Sequence, residues 1–189
     1  MTVILAVKDK VNRKIYMAGD RMVSNGMTER KKLPHPKIHN KGGILYGATG
    51  SSVYCSGFAE LLKLPKLKRG QSITQYMFGV LRPAIKEVAD AQFYFNYENS
   101  YFGALFVVEQ HLIEVVVTND KDAKNVVDIH VGLNDFPYSV GCGSKAVLAA
   151  YEALKDERDI KTRIMKAMKA TYVVDAACGR GTDLLELDY

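Results

Sequence analysis

The sequence predicts an α+β protein of four layers, in the order αββα, with helices covering the outer faces of two packed sheets. Strand-like and helix-like segments occur in separate runs along the chain, which is typical of stacked layers rather than of an alternating parallel sheet. The 189 residues contain no linker and no shift in composition. We therefore expect one domain with a substantial core, spanning residues 1–189.

The first third of the chain is rich in β-forming residues. Residues 3–7 and 14–18 are β-rich segments separated by the polar turn KDKVNRK, a pattern that predicts a hairpin. An irregular stretch follows Asp20. Residues 43–46 then predict a short strand that ends at Gly47.

Two helices are predicted next, at residues 52–64 and 72–91. Ser72 and Gln75 have the spacing of a capping box, in which each side chain bonds the backbone of the other residue at a helix start. Pro83 has no N–H group and is expected to kink the second helix. The apolar residues that recur at helical spacing in this helix are Ile73, Met77, Val80, Ala84 and Val88.

The second run of strands is predicted at residues 102–108, 112–117 and 126–130. These segments are apolar and β-branched, and polar residues separate them. They predict an antiparallel meander.

Helical periodicity returns at residues 145–155 and 160–178, and residues 183–187 predict a closing strand. In the last helix Asp175 falls on the same stripe as Ile164, which faces the core. We therefore expect Asp175 to be buried and to have a cationic or hydrogen-bonding partner.

The segment VVDAACGRGTDLLEL could alternatively be the nucleotide-binding turn of an S-adenosylmethionine methyltransferase. Such a turn binds its cofactor within a βαβ unit, where a helix and further strands follow it. Only Asp188 and Tyr189 follow this segment, so we expect its glycines to mark a helix end and the exit into the last strand.

Charge and composition exclude several other classes. The net charge is +5, but the basic clusters at residues 29–32 and 63–69 are not interleaved with aromatic residues, so we expect no binding to nucleic acid. The N-terminal apolar run is too short for a membrane span and has no secretory leader, so we expect a cytoplasmic protein. Cys55, Cys142 and Cys178 lack metal-ligand spacing, and we expect reduced thiols with no metal or cofactor.

Six short motifs occur along the chain: TVILAV from Thr2, AGDRMVS from residue 18, KI from residue 37, YGATGSS from residue 46, VGCGS from residue 140 and DAACG from residue 175. In this order and spacing they resemble the proteasome β-subunit and HslV group of N-terminal-nucleophile (Ntn) hydrolases. The resemblance implies the Ntn hydrolase fold, an αββα sandwich. It also implies a threonine endopeptidase subunit of a self-compartmentalising ring protease.

The chemistry implied by the resemblance centres on Thr2. Threonine is small enough that Met1 ahead of it is commonly removed, which leaves Thr2 with a free α-amine. An α-amine titrates near pH 8, so it can accept the hydroxyl proton of its own residue while Oγ attacks a carbonyl. No histidine is required for this chemistry.

The resemblance also assigns roles around Thr2. Lys37 would lie beside the Thr2 hydroxyl and favour its deprotonated form, and Asp20 would hold Lys37 in place. Lys41 is the alternative if Lys37 is misassigned. The backbone N–H of Gly47 would serve as the oxyanion-hole donor.

Three further residues are expected around the terminal amine. Ser144 and Asp175 match residues that form hydrogen bonds there in the family. Cys178 stands where the family usually has serine, and a thiol is the weaker hydrogen-bond donor. The side chains expected to line the substrate pocket are Val23, Ser24, His35, Leu45, Thr49 and Val53. Three of the six are apolar and none is lysine or arginine, and we expect cleavage after apolar residues in preference to acidic ones.

Partners follow from the same resemblance: a protein or peptide substrate, a homo-oligomeric ring, and an ATPase unfoldase that feeds the ring. Two alternatives stay open at this point. The chain could be a non-catalytic scaffold or binding subunit that retains Met1, or an Ntn amidohydrolase that acts on a small molecule.

Overall fold

The computed structural model describes residues 2–25, 29–91, 102–119, 125–130 and 136–189. The strands, in chain order, are β1 (Val3–Asp9), β2 (Lys14–Asp20), β3 (Met22–Asn25), β4 (Glu29–Lys32), β5 (Ile38–Lys41), β6 (Ile44–Gly50), β7 (Phe102–Val108), β8 (His111–Asn119), β9 (Asn125–His130), β10 (Tyr138–Gly141) and β11 (Thr182–Asp188). The helices are α1 (Ser52–Leu61), α2 (Ile73–Tyr76), α3 (Arg82–Ala91), α4 (Ser144–Ala153) and α5 (Ile160–Val174), and a π-helical segment, Met77–Leu81, joins α2 to α3.

Two antiparallel sheets form the middle layers. One has the strand order β10-β1-β2-β11 and the other has the order β5-β6-β7-β8-β9, while β3 and β4 form a separate ribbon. Helices α4 and α5 pack on the first sheet, and α1 to α3 pack on the second. The predicted four-layer αββα fold is therefore confirmed, as is the meander of β7, β8 and β9.

The central strand β1 is buried on both faces. Val3, Leu5 and Val7 contact the α4–α5 layer, whereas Ile4 and Ala6 point into the core between the two sheets. Successive side chains of a strand point to opposite faces, so a strand covered on both sides needs an unbroken apolar run. This requirement explains the sequence VILAV.

Helix boundaries differ from the sequence prediction in two places. The helix predicted to end at residue 64 ends at Leu61, four residues before Pro65. The helix predicted over residues 72–91 begins with the expected Ser72–Gln75 capping box, but it contains the π-helical turn. Pro83 follows this turn and cannot donate to the carbonyl four residues earlier, which is a common cause of helix distortion.

The last helix is also shorter than predicted. Helix α5 ends at Val174, and Asp175 has an extended backbone at the helix C-terminus. The expectation that Asp175 lies buried on a helical stripe was therefore wrong, since Asp175 is half-buried in the turn after the helix. Gly179 has a φ of 141° in the exit toward β11, but it lies five residues beyond the end of α5, so the expectation that it caps the helix was wrong.

Four short strands were not predicted, and the first of them is β3, with the sequence MVSN. The ribbon strand β4 has the sequence ERKK, which resembles a solvated loop, and β5 and β10 have four residues each. Segments this short carry too little periodicity to be recognised. In the part of the chain that the structure describes, no helix is both long and apolar enough to cross a membrane.

Candidate active site

Three strand ends bring Thr2, Asp20 and Lys37 together. Thr2 directly precedes β1, Asp20 is the last residue of β2, and Lys37 directly precedes β5. The register of β1 and β2 pairs Ile4 with Gly19, which places Val3 beside Asp20. The Lys37 Nζ then lies 3.1 Å from the Thr2 Oγ1 and 2.8 Å from the Asp20 Oδ1.

The Asp20 carboxylate is fully buried, with 0% of its surface exposed. Besides Lys37, it accepts hydrogen bonds from the backbone N–H groups of Val3 at 3.0 Å, Met22 at 3.1 Å and Gly179 at 3.2 Å. These four donors satisfy both carboxylate oxygens, as a buried charge requires. The arrangement fixes the anion against three separate segments of the chain.

The Lys37 ammonium uses its three donors on three acceptors: the Thr2 Oγ1, the Asp20 Oδ1 and the Met22 carbonyl, which is 2.6 Å away. Its side chain is buried, so the charge acts on Thr2 with little screening by water. Lys41, the alternative from the sequence, instead donates to the carbonyls of Ala59 and Leu62 at the end of α1. The structure therefore places Lys37 at the Thr2 hydroxyl.

The backbone of Thr2 is held by the turn between β10 and α4. Its N atom lies 3.3 Å from the Cys142 Sγ, and its carbonyl accepts from the Gly143 N–H at 3.4 Å. Gly141 has a φ of 99°, and a Cβ at this position would lie 2.1 Å from the Thr2 carbonyl oxygen. Glycine at position 141 is thus required for the close contact between the two segments.

The hydrogen bond from the Thr2 N atom reaches Cys142, a residue that the sequence analysis did not select. Ser144, which was expected near the terminal amine, is the half-buried first residue of α4, and its contact with Thr2 stays a prediction. The available signal was the motif VGCGS, whose cysteine lies between two glycines that allow close backbone approach.

A chain of contacts leads from Thr2 to Asp175. The Cys142 Sγ lies 3.6 Å from the Cys178 Sγ, and the Cys178 thiol donates to the Asp175 Oδ2 at 3.4 Å. The other Asp175 oxygen accepts from the Ala177 N–H at 2.8 Å. The predicted residues Asp175 and Cys178 are therefore close to Thr2 and connect to it through Cys142.

These contacts shift the pKa values of the three side chains. The contact with the Cys178 thiol is the main cause that lowers the pKa of the Cys142 thiol to about 7, and burial opposes it. The same pairing with Cys142, together with burial, raises the pKa of Cys178. Burial opposes ionisation of Asp175, but the hydrogen bonds from Ala177 and the thiols outweigh it and lower the Asp175 pKa.

The ligand-type atoms of Cys142, Asp175 and Cys178 lie within 4.8 Å of one another. Hydrogen bonds account for the contacts that join the two thiols to each other and Cys178 to Asp175. We therefore assign no metal to this cluster.

A cavity of about 270 Å³ opens beside Thr2. Val23 and His35, two of the residues expected around the substrate, line this cavity. Helix α1 contributes further lining residues at helical spacing, namely Ser52, Cys55, Ser56, Ala59 and Glu60. The side chains of Ser24 and Val53 lie outside the described part of the structure.

The faces of β6 differ from the prediction. Tyr46 and Ala48 belong to the cluster covered by α1 to α3, whereas Leu45 lies in the core between the sheets. Gly47 and Thr49 share the face of Leu45 because side chains alternate along a strand. Among the described residues of β6, the cavity is lined by Ala48 and Gly50 and not by Leu45, Gly47 or Thr49.

Two observations show that Gly47 is a packing position. A Cβ on Gly47 would lie 2.8 Å from the Ile4 Cδ1, inside the core. The Ala48 N–H donates to the Lys37 carbonyl at 3.2 Å, so the N–H of the preceding residue is directed to the opposite edge of the strand, toward β7. Gly47 cannot therefore present its N–H to the cavity.

Comparison with known proteins supports the fold. No family model matches the sequence, and no curated protein matches it. Among solved structures, the eukaryotic HslV from Trypanosoma brucei matches with a TM-score of 0.66 and 19% identity over 100% of both chains. Thiobacillus denitrificans BPH in complex with epoxomicin matches with a TM-score of 0.69 and 20% identity over 99% of this chain and 98% of that chain.

A second structure of Thiobacillus denitrificans BPH matches with a TM-score of 0.69 and 19% identity, over 100% of this chain and 98% of that one. Likeness at this level of identity concerns the arrangement of the backbone. The resemblance inferred from the sequence motifs is thus confirmed at the level of the fold: the chain has the four-layer architecture of HslV and BPH.

Proposed function

We propose that this chain is a threonine endopeptidase subunit of a ring protease, with Thr2 as its nucleophile after removal of Met1. The observation that carries the proposal is the position of the Thr2 Oγ1, which lies 3.1 Å from the buried Lys37 ammonium and borders the cavity. A hydroxyl beside a buried cation and an open cavity is suited to attack on a bound carbonyl.

In the proposed reaction, the Thr2 Oγ attacks the carbonyl carbon of a peptide bond while the α-amine of Thr2 accepts the hydroxyl proton. The Lys37 ammonium stabilises negative charge on the attacking oxygen, and Asp20 keeps Lys37 in position. The proton then passes to the leaving amine, and an ester on Thr2 remains. Water hydrolyses this ester and restores the hydroxyl and the amine.

We propose Gly50 rather than Gly47 as the oxyanion donor. Residues two apart in a strand direct their N–H groups to the same edge, so Gly50 shares the direction of Ala48, toward the edge where Lys37 lies. Gly50 also lines the cavity together with Thr2. Its φ of 127° is a conformation that favours glycine.

The cavity wall suggests the type of residue that is cleaved. Val23, Leu33, Pro36 and Ala59 contribute apolar surface to it. Glu60 also lines the cavity and would repel an acidic side chain. We therefore propose cleavage after apolar residues in preference to acidic ones.

Assembly into a homo-oligomeric ring is part of the proposal. Val173 and Val174, at the end of α5, have 84% and 73% of their surface exposed. Contact with a neighbouring subunit would remove this apolar surface from water. An ATPase unfoldase partner remains an expectation from the resemblance, and a cytoplasmic location remains an expectation from the N-terminal sequence.

Turnover of fluorogenic peptides by the wild type and by Thr2→Ala tests the nucleophile. Alanine also permits removal of Met1, so the variant differs from the wild type by the hydroxyl and the methyl group alone. We expect Thr2→Ala to lose turnover and Thr2→Ser to keep part of it. Equal turnover by the wild type and Thr2→Ala would exclude Thr2 as the nucleophile.

Intact mass spectrometry of the same samples separates the enzyme from the scaffold alternative. The mature enzyme should lack the mass of Met1, whereas a non-catalytic subunit would retain it. Epoxomicin, which is bound in the BPH structure, provides a second probe. We expect it to inhibit the wild type, and no inhibition at concentrations far above that of the enzyme would argue for a different reaction.

A further inference from the structure

Two thiols meet directly beside the proposed nucleophile. Cys142 lies in the turn between β10 and α4, and Cys178 lies in the turn after α5, 36 residues away in sequence. Their sulfur atoms are 3.6 Å apart, and both are free thiols. A pair of this kind can serve as a hydrogen-bonding contact or as the two halves of a disulfide.

The geometry permits a disulfide. Because an S–S bond is about 2.0 Å long, the two sulfur atoms would have to approach by about 1.5 Å. A Cβ on Gly143 would lie 2.9 Å from the Cys178 Sγ, so this glycine leaves the space that Cys178 occupies. Both cysteines lie in turns and are each followed by glycine, at positions 143 and 179, so that small backbone adjustments are available.

The two thiols differ in accessibility and acidity, as an attacking and a resolving cysteine do. Cys142 is exposed, and its pKa of about 7 leaves a large thiolate fraction at neutral pH. Cys178 is buried, and its pKa is raised by the contact with Cys142 and by burial. Cys142 is therefore the thiol that an oxidant reaches first.

We propose that Cys142 and Cys178 form a reversible disulfide when the protein meets hydrogen peroxide, and that this bond lowers the activity of the Thr2 site. In the first step the Cys142 sulfur attacks one peroxide oxygen, the O–O bond breaks, and a sulfenic acid forms with release of hydroxide, which takes up a proton. In the second step the Cys178 sulfur attacks the sulfenic sulfur, the S–O bond breaks, and water leaves. Two thiols are oxidised, and one peroxide is reduced to two waters.

The effect on activity follows from the contacts of Cys142 with Thr2, and this part of the inference rests on the proposed function. The Cys142 Sγ lies 3.3 Å from the Thr2 N atom and 3.4 Å from the Thr2 carbonyl oxygen. In its thiol form Cys142 donates to that carbonyl, whereas a disulfide sulfur has no proton to donate, and bond formation draws the Cys142 sulfur toward Cys178. Cys178 also loses the proton that it donates to Asp175. The terminal amine therefore loses support on this side.

The test treats the full-length mature chain with hydrogen peroxide in buffer that contains a chelator, followed by intact mass spectrometry and peptide mapping without reductant. We expect the loss of two hydrogens and a cross-linked peptide that joins Cys142 to Cys178. Cys142→Ser and Cys178→Ser should not form this product. Cys55→Ser should still form the cross-link, because Cys55 takes no part in it. The Cys55 thiol is half-buried, and burial raises its pKa to about 11, so it reacts poorly.

Peptidase turnover is measured on the same samples before oxidation, after oxidation and after reduction with dithiothreitol. Because hydrogen bonds that hold Thr2 are lost, we expect activity to fall about fivefold or more on oxidation and to recover on reduction. Recovery of both unmodified thiols after peroxide treatment, or a cross-link through Cys55, would overturn the disulfide. A confirmed cross-link with unchanged turnover would overturn the regulatory effect. An inactive untreated chain would contradict the proposed function, while the peptide map would still decide the disulfide.

Discussion

Replacement of Lys37 by methionine separates the structural and catalytic roles of the buried ion pair. Methionine keeps much of the side-chain volume but removes the ammonium that contacts Thr2 and Asp20. The Asp20 carboxylate would then stay fully buried, with three backbone N–H groups and no cation. Loss of one partner of a buried pair costs about 3–5 kcal/mol, and the remaining donors place this case near the lower value.

The double variant Lys37→Met/Asp20→Asn removes the unpaired charge as well. We expect its loss of unfolding free energy to be smaller than the sum of the two single losses by about 1–3 kcal/mol, because the residues are in direct contact. Activity should not recover in the double variant as stability does. Every variant that lacks Lys37 should lose turnover by a factor of about 100 or more, since the charge beside the Thr2 oxygen is gone.

Urea unfolding measures the stability of the wild type, Lys37→Met, Asp20→Asn and the double variant, and kcat/KM for a fluorogenic peptide measures their activity. Lys41→Met is the matched control, because its ammonium binds carbonyls at the end of α1 rather than Thr2. It should keep wild-type kcat/KM. The reasoning would be refuted if Lys37→Met unfolded at the wild-type urea concentration, or if Lys41→Met lost as much activity as Lys37→Met.

Three further predictions concern single positions. Gly141→Ala should lower the thermal midpoint and the activity together, because the added Cβ would lie 2.1 Å from the Thr2 carbonyl oxygen and residue 141 has a φ of 99°. An unchanged thermal midpoint would contradict this contact. Tyr46→Phe should raise the unfolding free energy by about 1 kcal/mol in urea titrations, because the buried Tyr46 hydroxyl has no hydrogen-bond partner among the described residues. A clear loss of stability would show that the hydroxyl has a partner. Hydrogen bonds from Lys14 and then Lys161 lower the Glu186 pKa from 4.5 to about 2, so Glu186 stabilises the fold above pH 4.5 and loses this effect as the pH falls through 2. The stability difference between the wild type and Glu186→Gln should shrink over this range, and a constant difference would count against the pairing.

The layer order could be predicted because the runs of strands and helices are separate and long enough to show their periodicity. The grouping of Thr2, Asp20 and Lys37 was implied by the family resemblance, and the structure places the three residues at strand ends. The faces of β6 could not be predicted in the same way. Both faces of β6 are buried, so large side chains such as Leu45 and Tyr46 occur on each of them. The sequence pattern therefore gives no indication of which face lies toward the cavity.

The role of Cys142 was missed for a different reason. Its contact with Thr2 spans 140 positions in sequence and exists because β10 pairs with β1. Strand β10 has four residues, too few to be recognised from periodicity. A contact of this kind depends on the pairing of strands that are distant in sequence, and the local residue pattern does not indicate it.

The ends of strands usually fray, yet the strand that follows Thr2 lies inside the sheet. Strand β1 is hydrogen-bonded on one edge to β10 and on the other to β2, so Val3 has neighbours on both sides. Thr2 directly precedes this strand and contacts Lys37 and Cys142, so its displacement requires the start of the strand and these contacts to open together. Heat inactivation should consequently coincide with melting of the fold instead of occurring earlier through loosening around Thr2.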